Sequence, residues 1–366
     1  MQIYKTLVVV NGIVKEFFNN FTVRRIKYYQ QSMKKLLFII PVLIILIGSC
    51  ADNRFDADIS GINAEPEVKF FHADFDSIKA EHIYNSLDRL HNSYGEFTDF
   101  YLQQILGSGD YESAGFITRC SDFTDYCIVN DVFKDVNTQF PDVESVKKYF
   151  VSGFKHYKYY FPEDTLPVIY TIISGFQESV FPSDGLCAVS LEKYLGADYK
   201  AYSQLGIDYY KRRRMTPENM AVDYFKAVYS MKFLNADAEN NMISEMIERG
   251  KMQYFLNAVL PDVPDSLRWG CDNMRCLWQQ KYEEDIWNYL VEKKMLFSTN
   301  TVEIRNFTGE GPFTNAFGQE SAPGAASYCG FEIVKSFMDR NPEITLPALM
   351  KITDMKLIYN KAAYKP

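Results

Sequence analysis

The spacing of apolar residues predicts helices in the first half of the chain. One stripe follows a potential N-cap at Asp76–Ser77, where a side-chain oxygen can accept from free backbone N–H groups. A second stripe predicts a helix from Pro141 to Tyr160. The first stripe consists of Ile78, Ile83, Leu87, Leu90, Tyr94 and Phe97, and the second of Val143, Val146, Phe150, Phe154 and Tyr157.

The helical period of apolar residues ends after Tyr160. Two segments, Leu166–Gly175 and Leu186–Leu191, are rich in β-branched residues and are predicted to be strands. Helical signals return at Thr216–Pro217, where an N-cap residue precedes a proline that fits the first turn of a helix. We expect helices from Thr216 to about Phe233, Asp237 to Leu260 and Met274 to about Leu290, and a shorter one from near Cys329 after the turn Ala322–Gly324. A few strands followed by helices predict a single α+β domain dominated by helix.

The segment before this domain has the pattern of a bacterial lipoprotein signal. Met33 is followed by two lysines, an apolar run from Leu36 to Ile47, two small residues and Cys50. Cleavage would make Cys50 the first residue, and lipid chains on it would anchor the protein to a membrane. A transmembrane anchor is the alternative, but 12 apolar residues interrupted by a proline fall short of the ~20 needed.

These signals divide the chain. We expect residues 1–32 to be an upstream extension, 33–49 the signal peptide, 50–66 a lipidated tether and 67–366 the folded domain. The residues after Cys50 lack the acidic clustering of a surface-export signal, so we expect the periplasmic face of the outer membrane. The membrane, through the lipid, and other envelope proteins are the expected partners.

Charge excludes some other partners. Residues 1–49 hold seven of the 39 Lys and Arg and one of the 47 Asp and Glu, which leaves the remainder with a net charge of −14. Such a body is a poor ligand for nucleic acid or for anionic lipid headgroups. A hydrophobic content of 47% with 16% aromatic residues excludes a disordered chain.

Six cysteines remain after Cys50, and an even number in an exported chain permits disulfides. We expect at least one. Cys120 with Cys127 and Cys271 with Cys276 are near enough in sequence to pair locally, although sequence alone leaves the connectivity open. A zinc site at Cys271 and Cys276 is disfavoured because no second Cys or His pair follows at suitable spacing. The others are Cys187 and Cys329.

Candidate chemistry lies in the predicted helix from Asp237 to Leu260. Zincin-type metal peptidases use His-Glu-x-x-His on a helix, where two His bind zinc and the Glu polarises a water. Here the same frame is Ser244-Glu245-x-x-Glu248. Taken alone, this pattern is more typical of a solvated helix face.

Short blocks around this frame occur in order through the second half of the chain. They are Leu195-Gly196-Ala-Asp198-Tyr199, Met246-Ile247-Glu-Arg-Gly250-Lys251, Trp278 with Glu283-Glu-Asp-Ile286-Trp287, Gly311-Pro312-Phe313-Thr314, Ser321-Ala-Pro323-Gly324, Gly330-Phe-Glu-Ile333-Val334 and the terminal Tyr364-Lys365-Pro366. Together they resemble the gliding-motility lipoprotein GldB family of Bacteroidetes, which is itself similar to predicted zinc-dependent proteases with a zincin-like fold.

The resemblance implies a zincin-like domain in an envelope lipoprotein that serves motility. It places the two metal-binding His of the protease relatives at Ser244 and Glu248, the base at Glu245 and a third ligand at Glu283. This chain departs from that pattern at both His positions. The departure predicts a non-catalytic protein without a metal or other cofactor.

The histidine positions support this interpretation. The four histidines are His72, His82, His91 and His156, and none lies in the last 210 residues. A zinc site at the frame would need one of them to fold back onto it. A site for calcium or magnesium formed by Glu245, Glu248 and Glu283 remains an alternative, because hard cations prefer carboxylate oxygens. A lipid-anchored, metal-dependent hydrolase is therefore the competing function.

One basic run stands out on this acidic chain, at Lys211, Arg212, Arg213 and Arg214. It is most simply a solvated turn before the Thr216 helix. The alternative is a docking patch for an acidic partner or a phosphate-bearing glycan.

Overall fold

The computed structural model of this protein describes residues 54–75, 83–113, 115–234 and 239–366. Residues 55–366 form one compact unit. The signal peptide, Cys50, the upstream extension, the cap at Asp76–Ser77 and His82 lie outside the described residues. None of the described helices is long and apolar enough to cross a membrane.

A small mixed sheet lies in the first half of this unit. Its order is β1-β2-β4-β3, in which β1 and β4 run parallel to β2 and β3 runs antiparallel to β4. The two predicted strands are confirmed as β2 and β4. The sequence missed β1, which is too short to show a period, and β3, where Pro182 is tolerated because it lies in an edge strand. The strands are β1 Val68–Lys69, β2 Val168–Ile172, β3 Val180–Ser183 and β4 Leu186–Ser190.

Helices surround this sheet in the first half of the chain. The buried stripe residues Leu87, Leu90 and Phe97 confirm the first amphipathic pattern, although Gly95 divides it. A π-helical turn spans Phe100–Ile105. The helices are α1 Phe71–Phe75, α2 Ile83–Tyr94, α3 Glu96–Asp99, α4 Phe116–Val129, α5 Val132–Gln139, α6 Val143–Lys147 and α7 Val151–Tyr160.

The prediction of one continuous helix from Pro141 to Tyr160 is wrong, because the segment forms two helices. Asp142 caps α6 by accepting a hydrogen bond from the Ser145 backbone N–H at 2.8 Å, and α6 ends at Lys147. A turn separates it from α7. The apolar stripe is nevertheless buried on both helices, because the turn keeps the same face toward the core.

The second half of the chain is helical. The predicted helix from Met274 to Leu290 is two helices that meet at Tyr282, whose backbone leaves the helical region. The helix predicted near Cys329 begins earlier, directly after the left-handed Gly324, and is one of the longest. The helices are α8 Lys200–Gln204, α9 Tyr209–Arg212, α10 Met220–Lys232, α11 Met242–Val259, α12 Asp265–Trp269, α13 Asn273–Lys281, α14 Glu283–Glu292, α15 Thr301–Thr308, α16 Ala325–Arg340, α17 Leu346–Met350 and α18 Met355–Ala362.

The centre of the unit is the crossing of α11 and α16. Gly250 of α11 lies against the backbone of Gly330 in α16, and a Cβ on either glycine would collide with the other helix. Aromatic rings of α7 and α10 pack on another face of α11, for example Tyr157 and Phe225 around Phe255. The predicted helix-dominated α+β class is confirmed, and the helix with the candidate frame lies in the core.

Candidate functional site

The Ser-Glu-x-x-Glu frame occupies the first two turns of α11. The side chain of Asn241 caps this helix by accepting a hydrogen bond from the Ser244 backbone N–H at 3.0 Å. The helix therefore starts later than the predicted Asp237, which lies outside the described residues. Ser244 is buried, with 2% of its surface exposed.

Glu248 is buried and is held by protein groups. The hydroxyl of Tyr229 donates to its Oε1 at 2.5 Å, whereas its Oε2 accepts no hydrogen bond from any described residue. Burial raises the pKa of the Glu248 carboxyl, and Lys251 opposes that shift. This carboxylate faces α10 inside the core.

Lys251 is the nearest cation to Glu248. Its Nζ lies 3.9 Å from Glu248 Oε2 and donates to the carbonyl oxygen of Ile352 at 2.9 Å. Only 1% of the Lys251 side chain is exposed, and burial lowers its pKa. The frame alone is typical of a solvated helix face, but this pair lies inside the core. It joins α11 to the segment after α17.

The other acidic residues of the predicted site have separate partners. Glu245 is partly exposed and accepts from Nε of Arg249 at 2.7 Å, one turn along the same helix. Glu283 starts α14, where it accepts a hydrogen bond from the hydroxyl of Tyr364 at 2.7 Å. Burial raises the pKa of the Glu283 carboxyl. Glu283 thus fixes the C-terminal segment.

The structure does not bring Glu245, Glu248 and Glu283 together around one ion. Within the described ranges, no group of three or more His, Cys, Asp or Glu side chains is arranged to hold a metal. The described histidines have partners elsewhere. His72 bonds to Thr171 at 2.8 Å, His91 to Tyr111 at 2.6 Å, and His156 to the Ser152 carbonyl oxygen at 2.9 Å.

A polar cleft lies on the side of α11 that carries Arg249. It contains one cavity of about 780 Å³ and a second of about 720 Å³, and Arg214 lines both. A narrow pocket of about 60 Å³ reaches Arg249 and Met252 of α11. Parts of the sequence blocks quoted above, namely Gly311, Pro312, Pro323 and Gly324, line the 780 Å³ cavity or the pocket. These loop residues help to form the cleft, and the Ser-Glu-x-x-Glu frame alone would not have identified them as part of a site.

The basic run contributes to the cleft but is not one continuous patch. Lys211 stays exposed, 3.9 Å from Asp208, and Arg212 stacks on the ring of Tyr209. Arg213 pairs with Asp272 at 3.0 Å. The last member of the run, Arg214, turns inward, and only 19% of its side chain is exposed.

Arg214 lies at the centre of an ionic cluster. Its Nη1 donates to Oε1 of Glu310 at 2.8 Å, and its Nη2 lies 3.7 Å from Asp223. Lys226 of α10 lines both the narrow pocket and the 720 Å³ cavity. The cluster therefore joins α10 to the Gly309-Glu310-Gly311 loop. Sequence reasoning missed Lys226, Arg249 and Glu310, because single charged residues on predicted helices and loops give no pattern.

The structure distinguishes between the two local cysteine pairs that the sequence allows. None of the six described cysteines is in a disulfide. Cys120 and Cys127 lie on α4, where seven residues rise ~10.5 Å, too far for a bridge, so local pairing there is wrong. Cys271 and Cys276 have their Sγ atoms 2.7 Å apart, and Cys271 lines the 780 Å³ cavity together with Asp272.

A model of one protein family, described as gliding motility protein GldB, matches residues 52–366. No curated protein and no solved structure matches the chain. The match spans the frame, the cleft and every block that carried the resemblance. The relation to zincin-type peptidases stays a prediction.

Proposed function

Because the chain belongs to the gliding motility protein GldB family, we propose that it is a lipid-anchored envelope protein that acts as a non-catalytic binding or assembly module in motility. Cys50 would carry the lipid, and residues 51–66 would separate the domain from the bilayer. The proposed location is the periplasmic face of the outer membrane, with other envelope proteins as partners.

The observation that carries the non-catalytic role is the environment of Glu248. A catalytic carboxylate or metal ligand must reach a substrate or an ion. Glu248 is instead 6% exposed and contacts Tyr229 and Lys251. A buried carboxylate with these partners stabilises the packing of α11 on α10 and is closed to substrate.

Glu245 supports the same proposal. The frame assigns it the role of base, but its carboxylate is bound to Arg249. The Arg249 Nε, at 2.7 Å, occupies Oε1, one of the two oxygens through which a general base would accept a proton. Both carboxylates of the frame thus contact side chains of the domain itself.

The test is complementation of a host that lacks this protein. Glu245→Gln keeps the size and an acceptor oxygen but cannot act as a general base, so motility should be restored to the wild-type level. Metal analysis of the chain purified without chelator should show substoichiometric zinc, calcium and magnesium. A Glu245→Gln protein that is folded, abundant and unable to restore motility would support the competing metal-dependent hydrolase. Stoichiometric metal lost on Glu248→Gln would do the same.

A further inference from the structure

Lys226 of α10 is a cation in the floor of the cleft. It lines the narrow pocket and the 720 Å³ cavity, and no described residue accepts a hydrogen bond from its Nζ. Its side chain is only partly exposed. Lysines that leave bulk solvent are normally paired, because a desolvated ammonium without acceptors is costly.

The surroundings of Lys226 add positive charge. Burial together with Arg214 and Arg249 lowers the pKa of Lys226 to about 8, whereas Asp223 and Glu310 oppose the shift. The lysine remains mostly charged at neutral pH. Three cationic groups from α10, α11 and the end of the basic run therefore converge on one region of the cleft.

Glu310 already places a carboxylate in this region. It contacts Arg214 at 2.8 Å, although 61% of its side chain is exposed. Glycines flank it on both sides, and a Cβ at Gly309 would approach the Arg305 carbonyl oxygen closely. Because only the arginine of this pair is buried and the glutamate stays in solvent, an external anion can displace the glutamate from Arg214 at small cost.

The 780 Å³ cavity and the narrow pocket have a positive lining, in contrast to the acidic chain, whereas the charges that line the 720 Å³ cavity balance. The charged side chains that line the 780 Å³ cavity and the narrow pocket are Arg213, Arg214, Lys226, Arg249 and Arg275 against Asp208, Asp272 and Glu310. A cleft of this sign on an acidic body focuses anions toward its floor. The rings of Tyr210 and Trp269 also line it and offer apolar contact.

We propose that this cleft binds a ligand through an oxyanion group, a carboxylate or a phosphate, which pairs with Lys226 and with Arg214 in place of Glu310. A guanidinium suits such a group because its planar donors match two oxygens, and the ammonium supplies the third contact. The inference goes beyond the proposed function, since anion binding is measured in the purified chain whether or not it has catalytic activity.

The test is calorimetric titration of the purified chain, with inorganic phosphate and with succinate, at constant ionic strength set by sodium chloride. We expect saturable binding of at least one. Lys226→Met keeps the length of the side chain and removes its charge, and it should weaken binding at least tenfold. Glu310→Gln removes the competing carboxylate and should tighten binding several-fold. Lys134→Met is the matched control, because this exposed lysine of α5 lies outside the cleft and pairs with Asp131 at the start of its own helix.

The probes separate the two sources of the anion. Saturation by phosphate alone assigns a phosphate-bearing ligand, and saturation by succinate alone assigns a carboxylate-bearing one. Circular dichroism of each variant checks that it is folded. The proposal is overturned if neither probe saturates the wild-type chain, if folded Lys226→Met binds as well as the Lys134→Met control, or if Glu310→Gln weakens binding.

Discussion

Gly250 and Gly330 lie face to face where α11 crosses α16, with no room for a side chain between the two backbones. A Cβ on Gly250 would collide with the Gly330 carbonyl group, and a Cβ on Gly330 would collide with the carbonyl of Met246. Backbone atoms cannot move aside as a flexible side chain can. The contact therefore fixes the position of the helix that carries the frame.

Gly250→Ala should destabilise the domain by about 2–4 kcal/mol, because the methyl group must push two helices apart. In a helix without this contact, alanine in place of glycine would stabilise by up to about 1 kcal/mol. A loss of stability in Gly250→Ala would therefore identify the close helix contact as its cause. Gly250→Leu should prevent accumulation of the protein. Chemical denaturation measures the first effect and immunoblotting the second. Gly61→Ala is the control, because nothing lies within 4 Å of a Cβ there.

Lys251→Met should cost about 3 kcal/mol, since it leaves the buried carboxylate of Glu248 without its nearest cation. The double variant Glu248→Gln/Lys251→Met should cost less than the sum of the two single changes by at least about 1 kcal/mol. Urea denaturation gives each free energy of unfolding. Lys134→Met, which breaks an exposed pair of the same spacing, should change it by under about 0.5 kcal/mol. Additive costs would show that Glu248 and Lys251 are not coupled.

Lys226→Met should stabilise the domain at pH 7 by about 1–2 kcal/mol while it weakens anion binding. The reason is the pKa of Lys226, about 8 in the folded chain and about 10.4 when unfolded. Between pH 8 and about 10.4 the lysine is protonated in the unfolded chain and largely deprotonated in the folded chain. The free energy of unfolding of the wild type therefore rises with pH across this range. The difference in stability between Lys226→Met and the wild type should therefore disappear across this range. Thermal denaturation from pH 7 to 10.5 measures it, and a variant less stable at pH 7 would indicate a packing role.

Cys271 and Cys276 should form a disulfide in an oxidising envelope, because their sulfurs already lie 2.7 Å apart. The bridge would enclose Asp272, which caps α13 and pairs with Arg213 and Arg275, so it would stabilise one wall of the cleft. The short loop limits the entropic gain to about 2 kcal/mol. Peptide mapping without reduction should recover the linked pair and leave Cys120 and Cys127 as free thiols. Six free thiols in the native protein would contradict the expectation.

Cys50→Ala should abolish lipidation and leave the precursor unprocessed. In the proposed lipoprotein, diacylglycerol would attach to the sulfur of Cys50, and loss of this residue would also remove the cleavage site. Labelling cells with a radioactive fatty acid and isolating the protein measures both effects. Continued incorporation of label into the Cys50→Ala protein would contradict the assignment of Cys50.

The sequence predicted the class of the fold because its signals are local. The strands β2 and β4 and the helices α10 and α11 were recognised from runs of β-branched residues, apolar period and caps, each set within about 20 residues. Breaks within a stripe were missed, as at Tyr282 and between α6 and α7. A turn that keeps the same face buried does not change the apolar pattern.

The sequence by itself also indicated the family, and it predicts the lipid anchor, since both inferences depend on the order of residues along the chain. Only the tertiary structure decided what the charged residues do. Whether Glu248 faces water, a metal or Lys251 depends on which helices pack against α11. The cluster of Arg214, Lys226, Arg249 and Glu310 is assembled from segments up to 96 residues apart. The interactions and pKa values of charged groups depend on the distances between them and on their burial. Both are properties of the folded chain and not of the sequence order.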